Sequence, residues 1–247
     1  MATKKVHRFS SEVDLQMSVC SLIAEKSTKA IADHGFFAVA FSGGSSAKIV
    51  CKGLVSLGLK LDFSKWRVFF CDERYASLNH PDSNYKLVKD NLLDVIKTKP
   101  ECVISLDYSL PLEKAAVEYE KRLRELFPSE KEPPQLDMLL LGMGPDGHIC
   151  SLFPGHPLLT ESSKLVAAIS DSPKPPPSRI TLTYALLNEA HSAVFVATGS
   201  GKAEVVKRVL EGNESDPLPA ARLKLTNGDT HWFVDDASAS LLTKPGL

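Results

Sequence analysis

In LDMLLLGMGPDGH (136–148) a mostly apolar run gives way to a glycine turn that ends in an acid and a histidine. The run reads as a strand, and the turn as the loop at its carboxyl end. Gly142, Gly144 and Gly147 have the G-x-G-x-x-G spacing of a dinucleotide-binding turn. That reading also requires a following helix of about three turns, a second strand, and an acid at its end roughly 20 residues on. Here FPGHP (153–157) stops any helix soon after His148, and Glu161 precedes the next strand rather than ending it. The loop fails as a nicotinamide site and is read as a cradle for something else.

Outward from this point, strand-like and helix-like segments alternate along the chain. FFAVAF (36–41) is a short unbroken apolar run, as expected of a strand buried on both faces of a parallel sheet. RVFFC (67–71), KLVAAIS, RITLT, SAVFVAT and HWFVD read as further strands. Ser10 and Ser11 can cap a helix that ends at Gly35, and a second helix follows SGGSS (42–46). Helices are also expected over 82–96, over 111–127 with Pro111 in the first turn, and in YALLNEA, GKAEVVKRVLEG and DDASASLL. EKEPPQ (130–135) closes one unit, and PKPPPS (173–178) makes a rigid loop rather than a domain linker. The expectation is an α/β fold, one Rossmann-like domain over residues 1–247, with a mainly parallel sheet flanked by helices.

Composition narrows the class of function. Lys and Arg total 29, Asp and Glu 30, for a formal charge of −1, so no field is built for nucleic acid or an anionic membrane. No apolar stretch is long enough to span a membrane, and the N-terminus lacks the apolar core of a signal peptide. LLTKPGL (241–247) carries no prenylation or peroxisomal signal. Five scattered cysteines without C-x-x-C read as reduced thiols of a cytoplasmic protein. No H-x-x-x-H or comparable pair suggests a metal.

In open α/β sheets ligands sit beyond the carboxyl ends of strands, so four strand ends hold the candidates. Asp146 and His148 stand two apart: either a general base with an orienting carboxylate, or a capping acid beside a packing histidine. SGGSS aims backbone N–H groups and a helix N-terminus at one place, which suits a phosphate, although a plain capped turn would look the same. TGSGKAE (198–204) adds Lys202, and Arg179 opens RITLT, where a forked donor suits a phosphate. CDERYA (71–76) places Asp72, Glu73 and Arg74 together, as a salt-bridged cluster or as a catalytic carboxylate with its partner. Cys150 near His148 reads as a buried thiol rather than a nucleophile.

Taken together, SGGSS, CDER, GMGPDGHICSLFPG, SDSPKPPPSRITLT and ATGSGKAEVVKRVL resemble the 6-phosphogluconolactonase family over about residues 9–242. Its broader family includes glucosamine-6-phosphate isomerases, with the same fold and D-G-H loop. The resemblance implies hydrolysis of 6-phospho-D-glucono-1,5-lactone in the oxidative pentose phosphate pathway, without metal or cofactor; the expected assembly state is a monomer or weak dimer. It assigns His148 as general base, with Asp146 supporting it and Arg74 in the same catalytic group. It gathers Ser42, Gly43, Gly44, Ser45, Arg179 and Lys202 at the phosphate, with Asp72 also at the substrate. Many relatives continue S-G-G-S/T with T-P, where this chain has Ser46 and Ala47. The related isomerases continue D-G-H with I-A-F-N-E-P, and that glutamate's place is taken here by Phe153. The alternatives are an isomerase/deaminase and a non-catalytic phosphosugar-binding relative.

Overall fold

The computed structural model describes residues 3–127 and 133–244. Nine strands among the described residues fall into two sheets. β1 (Thr3–Phe9), β2 (Phe37–Phe41), β3 (Trp66–Phe70), β5 (Met138–Leu141), β8 (Ser192–Ala197) and β9 (Asp229–Asp235) form the larger one, in the order β1-β9-β8-β5-β2-β3. All its pairings are parallel. β4 (Asp72–Arg74), β6 (Val166–Ile169) and β7 (Arg179–Leu182) form a small antiparallel sheet with β7 in the middle.

The apolar runs form central strands because both of their faces are covered. Ala38 and Ala40 of β2 and Leu139 and Leu141 of β5 face one apolar cluster, with Tyr119 and Leu123 of the helix Leu112–Glu125. Phe37, Val39 and Phe41, with Met138 and Leu140, face the other. That second cluster includes Leu15, Val19 and Ile23 of α1 (Glu12–His34) and Val50 and Leu54 of α2 (Gly44–Ser56). Each buried Val, Leu, Ile, Phe or Met among them contributes about 1.5–3 kcal/mol by leaving water, so the run outweighs weak local preferences. α1 has the expected ends: Ser11 accepts from Asp14 N–H, and Gly35 closes the helix at φ 89°.

The strand order sets the location of the site. From β2 the chain moves to β3 on one side, then crosses back to β5, β8 and β9 on the other. The reversal opens a crevice between the carboxyl ends of β2 and β5, where α/β sheets bind ligands. The loops on either side of it are SGGSS and GMGPDGH. The small sheet hangs from the end of β3: Cys71 N–H donates to Phe41 O, and Leu182 N–H donates to Cys71 O, both at 2.8 Å. Ser151 N–H donates to Thr181 Oγ1 (3.2 Å), tying the segment after His148 to β7.

Four details differ from the sequence reading. β1 pairs with β9 as an unexpected edge strand, its lysines in keeping with an edge position. VAAI and RITL lie in the antiparallel sheet rather than the parallel one. The helix expected over 82–96 runs as Asn84–Val88, a wider π turn Lys89–Leu93, and Asp94–Ile96. DDASASLL is a series of turns, not a helix. Residues 130–132 of EKEPPQ and 245–247 of LLTKPGL lie outside the described residues.

Candidate active site

A cleft of ≈ 200 Å³ opens at the crevice, walled by 42–46, Asp72, Arg74, residues 142–144, His148 and Lys202. Its glycines are there for close approach of side chains rather than of a pyrophosphate. A Cβ on Gly144 would stand 2.0 Å from His148 Nδ1 and 2.5 Å from Asp146 Oδ1. A Cβ on Gly43 would stand 1.9 Å from Asn84 Oδ1. The loop itself is tight: Gly144 N–H donates to His148 O and Gly147 N–H to Gly144 O, at 2.9 and 3.0 Å.

His148 and Asp146 form a pair. Nδ1 lies 2.5 Å from Asp146 Oδ1, the opposite carboxylate oxygen is 3.0 Å from Lys174 Nζ, and Lys174 Nζ is 3.2 Å from Nδ1. An Nδ1–H donated to the carboxylate leaves Nε2 unprotonated as the basic nitrogen. Burial lowers the histidine's pKa below its ordinary value; Asp146 opposes this and the Lys174 charge adds to it. Burial by itself would raise Asp146, but its bonds to His148 and Lys174 bring it down to about 2. The Phe153 ring sits 4.7 Å from the imidazole, centroid to centroid.

The other end of the cleft favours an anion. α2 begins at Gly44 with no side-chain cap and no acid in its first turn, so its leading N–H groups are left for a ligand. Lys202 follows β8 in a short 3₁₀ turn, its Nζ donating to Met143 O at 2.5 Å. Arg74 donates through Nη1 to Asp82 O (3.1 Å), and its buried Nε has no partner among the described residues.

In CDERYA the alternation of β4 sends neighbours opposite ways. Asp72 lines the cleft and is held by Ser151 Oγ at 2.8 Å and Asn84 Nδ2 at 3.2 Å. Glu73 turns inward and accepts from the N–H groups of Arg74, Asn84 and Tyr85 and from the Ser83 hydroxyl. Burial nevertheless pushes its pKa up to about 7. It is a clamp between β4 and the helix Asn84–Val88.

Arg179 stands apart from the expected phosphate group and does not line the cleft. Its side chain is 3 % exposed, with Nε donating to Pro176 O and Nη2 to Lys174 O and Pro175 O, each at 2.9 Å. Asp72 lies 4.0 Å from Nη1, and the guanidinium carbon 5.7 Å from the Phe153 ring centre. With its donors turned to loop carbonyls, Arg179 braces the 174–176 segment. Cys150 lines the cleft at φ 51°, but neighbouring Cys71 and burial hold its thiol well above the ordinary range, away from a thiolate.

The profile of the glucosamine-6-phosphate isomerases/6-phosphogluconolactonase family matches residues 10–232. The chain belongs to this family. It is 43 % identical to a Bos taurus 6-phosphogluconolactonase over 99 % of this chain and 96 % of that protein. The structure of a Trypanosoma brucei 6-phosphogluconolactonase superposes at TM-score 0.86 and 27 % identity, covering 98 % of this chain and 100 % of that one. A Thermotoga maritima 6-phosphogluconolactonase superposes at TM-score 0.82 and 29 % identity, covering 94 % and 100 %. No described helix is long and apolar enough to cross a membrane.

Within this family fold, sequence reasoning missed the residues that hold the site rather than face it. Asn84 and Ser151 fix Asp72, and Lys174 meets Asp146 and His148 from a separate loop. No spacing signal links positions so far apart. The rigidity of PKPPPS was the one available hint, since a loop that stiff holds what it carries.

Proposed function

We propose that the chain hydrolyses 6-phospho-D-glucono-1,5-lactone to 6-phospho-D-gluconate, with His148 as general base. The observation that carries the mechanism is the Nδ1–Asp146 contact, which leaves Nε2 as the basic nitrogen of a histidine lining the cleft. The near full-length likeness to 6-phosphogluconolactonases supports the substrate. His148 takes a proton from water as the oxygen bonds to the lactone carbonyl carbon. The C1–ring-oxygen bond then breaks, and the imidazolium returns the proton to that oxygen. Asp146, ionised at every pH of interest, stabilises the imidazolium between the two steps. The α2 N-terminus, Ser42 to Ser45, Lys202 and Arg74 hold the phosphate, and Asp72 contacts the sugar.

The isomerase reading is disfavoured by one position. Ring opening of an amino sugar phosphate needs a further proton-transfer group, and Phe153 cannot move a proton. A lactone is already an activated acyl group and needs water, one base and a held phosphate. The test is an assay of purified protein on 6-phosphogluconolactone with spontaneous hydrolysis subtracted, beside ammonia release from glucosamine 6-phosphate. Catalysed lactone hydrolysis without ammonia release is expected. Ammonia release at a comparable rate would reverse the assignment.

A further inference from the structure

Lys174 reaches the base from outside the cleft. Its ammonium lies 3.0 Å from Asp146 Oδ2 and 3.2 Å from His148 Nδ1, while Asp146 Oδ1 holds the same ring nitrogen at 2.5 Å. Because Nδ1–H is already given to the carboxylate, Lys174 acts on the ring as a charge, not as a donor. It does not line the cleft.

The backbone that carries it is pinned. Lys174 O accepts from Arg179 Nη2 at 2.9 Å and from Ser172 Oγ at 2.8 Å, and Lys174 N–H donates to the same hydroxyl at 3.2 Å. Arg179 Nε also grips Pro176 O, and Ser172 N–H donates to Pro177 O at 3.1 Å. Prolines on both sides of Lys174 limit the backbone further. An exposed lysine ordinarily loses its pairing energy to side-chain freedom. Here the stem starts from a fixed point, and the partner is itself fixed by His148.

We propose that Lys174 is a positioning residue of the reaction: its ammonium holds Asp146 in register with His148 and sets a positive charge against protonation of the imidazole. This rests on His148 being the base. The charged groups facing the ring are Asp146 from its own loop, Asp72 from β4 and Lys174 from the 171–178 segment, with Arg74 and Lys202 across the cleft. The two carboxylates favour the imidazolium, and Lys174 is the cation in contact with the ring that opposes them. Burial works in the same sense as Lys174.

Removing the ammonium therefore raises the pH at which His148 titrates. A cation this close but partly exposed is worth about half to one pH unit, well below its unscreened Coulomb value. In Lys174→Met, NMR titration of the His148 ring without substrate should move up by that amount. The acid limb of kcat/KM on 6-phosphogluconolactone should move with it, so that the loss of rate well below the wild-type midpoint exceeds the loss on the plateau by roughly 3–10-fold. Lys174→Arg should restore both. An unmoved ring titration overturns the proposal, and so does an equal loss of rate at every pH, which would mark a structural or substrate-binding lysine. The ring titration needs no turnover, so a protein inactive on the lactone would defeat the proposed function while the titration still decides whether Lys174 is coupled to the ring.

Discussion

At the N-terminal ends of the strands, an open hollow of ≈ 550 Å³ holds Lys26 against Asp229 at 2.6 Å and His34 against Asp137 at 3.0 Å. At the carboxyl ends, a cleft of only ≈ 200 Å³ is lined by His148, whose Nδ1 is met from behind the cleft wall by Asp146 and Lys174, with the Arg74 Nε unpartnered among the described residues and a helix start uncapped. Both ends carry acids, lysines and histidines. In the larger hollow, charges serve the fold: Asp229 meets His231 Nε2 at 3.3 Å as well as Lys26, and Asp137 also accepts from Ala38 N–H at 2.7 Å, stitching β2 to the start of β5. In the smaller cleft, charges compete for one imidazole, and backbone donors are left over for a ligand. Competition, not volume, marks the chemistry.

That contrast can be broken most easily at the histidines. His148→Ala should lower kcat roughly 10² to 10⁴-fold with product binding nearly intact, whereas His34→Ala should leave kcat within about twofold. A His148 variant keeping a tenth or more of the wild-type kcat would retire it as the base. The sign of the pH dependence is part of the same test. Burial and Lys174 lower the His148 pKa, so the wild-type acid limb should fall below the usual histidine value of about 6.5, with no loss of rate from there up to neutral pH. A limb above about 7 would mean that the Asp146 contribution outweighs both.

The next effect sharpens the division of labour among the cations. Lys202→Ala should weaken capture of the phosphorylated lactone by about 1–3 kcal/mol and hardly touch unphosphorylated gluconolactone. Arg179→Ala should slow both substrates alike, because its donors hold loop carbonyls rather than the cleft. A phosphate-specific loss at Arg179 would mean that its guanidinium swings into the cleft when substrate arrives.

At the opposite end the expected losses are of stability alone. Asp137→Ala strands the Ala38 N–H and should cost about 1–3 kcal/mol in denaturant unfolding, with kcat unchanged. Lys26→Met should cost about 1 kcal/mol or less, since its ion pair remains partly in water. A tenfold fall in kcat from either would show that the hollow is coupled to the reaction.

Much of this contrast was open to sequence reasoning where burial or local spacing leaves a mark. FFAVAF and LDMLLL announced central strands because both faces are covered, and Asp146 and His148 stood in one turn. The N-terminal TKKVHRF left no such mark, since an edge strand is half wet and carries lysines. RITLT announced a strand but not its direction, which depends on a partner far away in the chain. DDASASLL had helical spacing, but its polar groups bond locally instead: Ser238 N–H to Asp235 Oδ1 at 2.7 Å and Ser240 Oγ to Ala237 O at 2.9 Å. Arg179 was legible as a cation at a strand entrance, while its burial against three carbonyls was not.

What the amino-acid order determined alone was the set of buried strands, the glycine turns that follow them, and the acid–histidine pair inside one of those turns. These depend on contacts between residues a few positions apart, or on burial that any interior would supply. Only the tertiary structure decided that the crossover from β3 to β5 opens a crevice between two of those turns, and that Lys174 arrives beside His148. Those outcomes depend on strand order and on loops meeting across long separations, where the energy lies in pairs that no local pattern records.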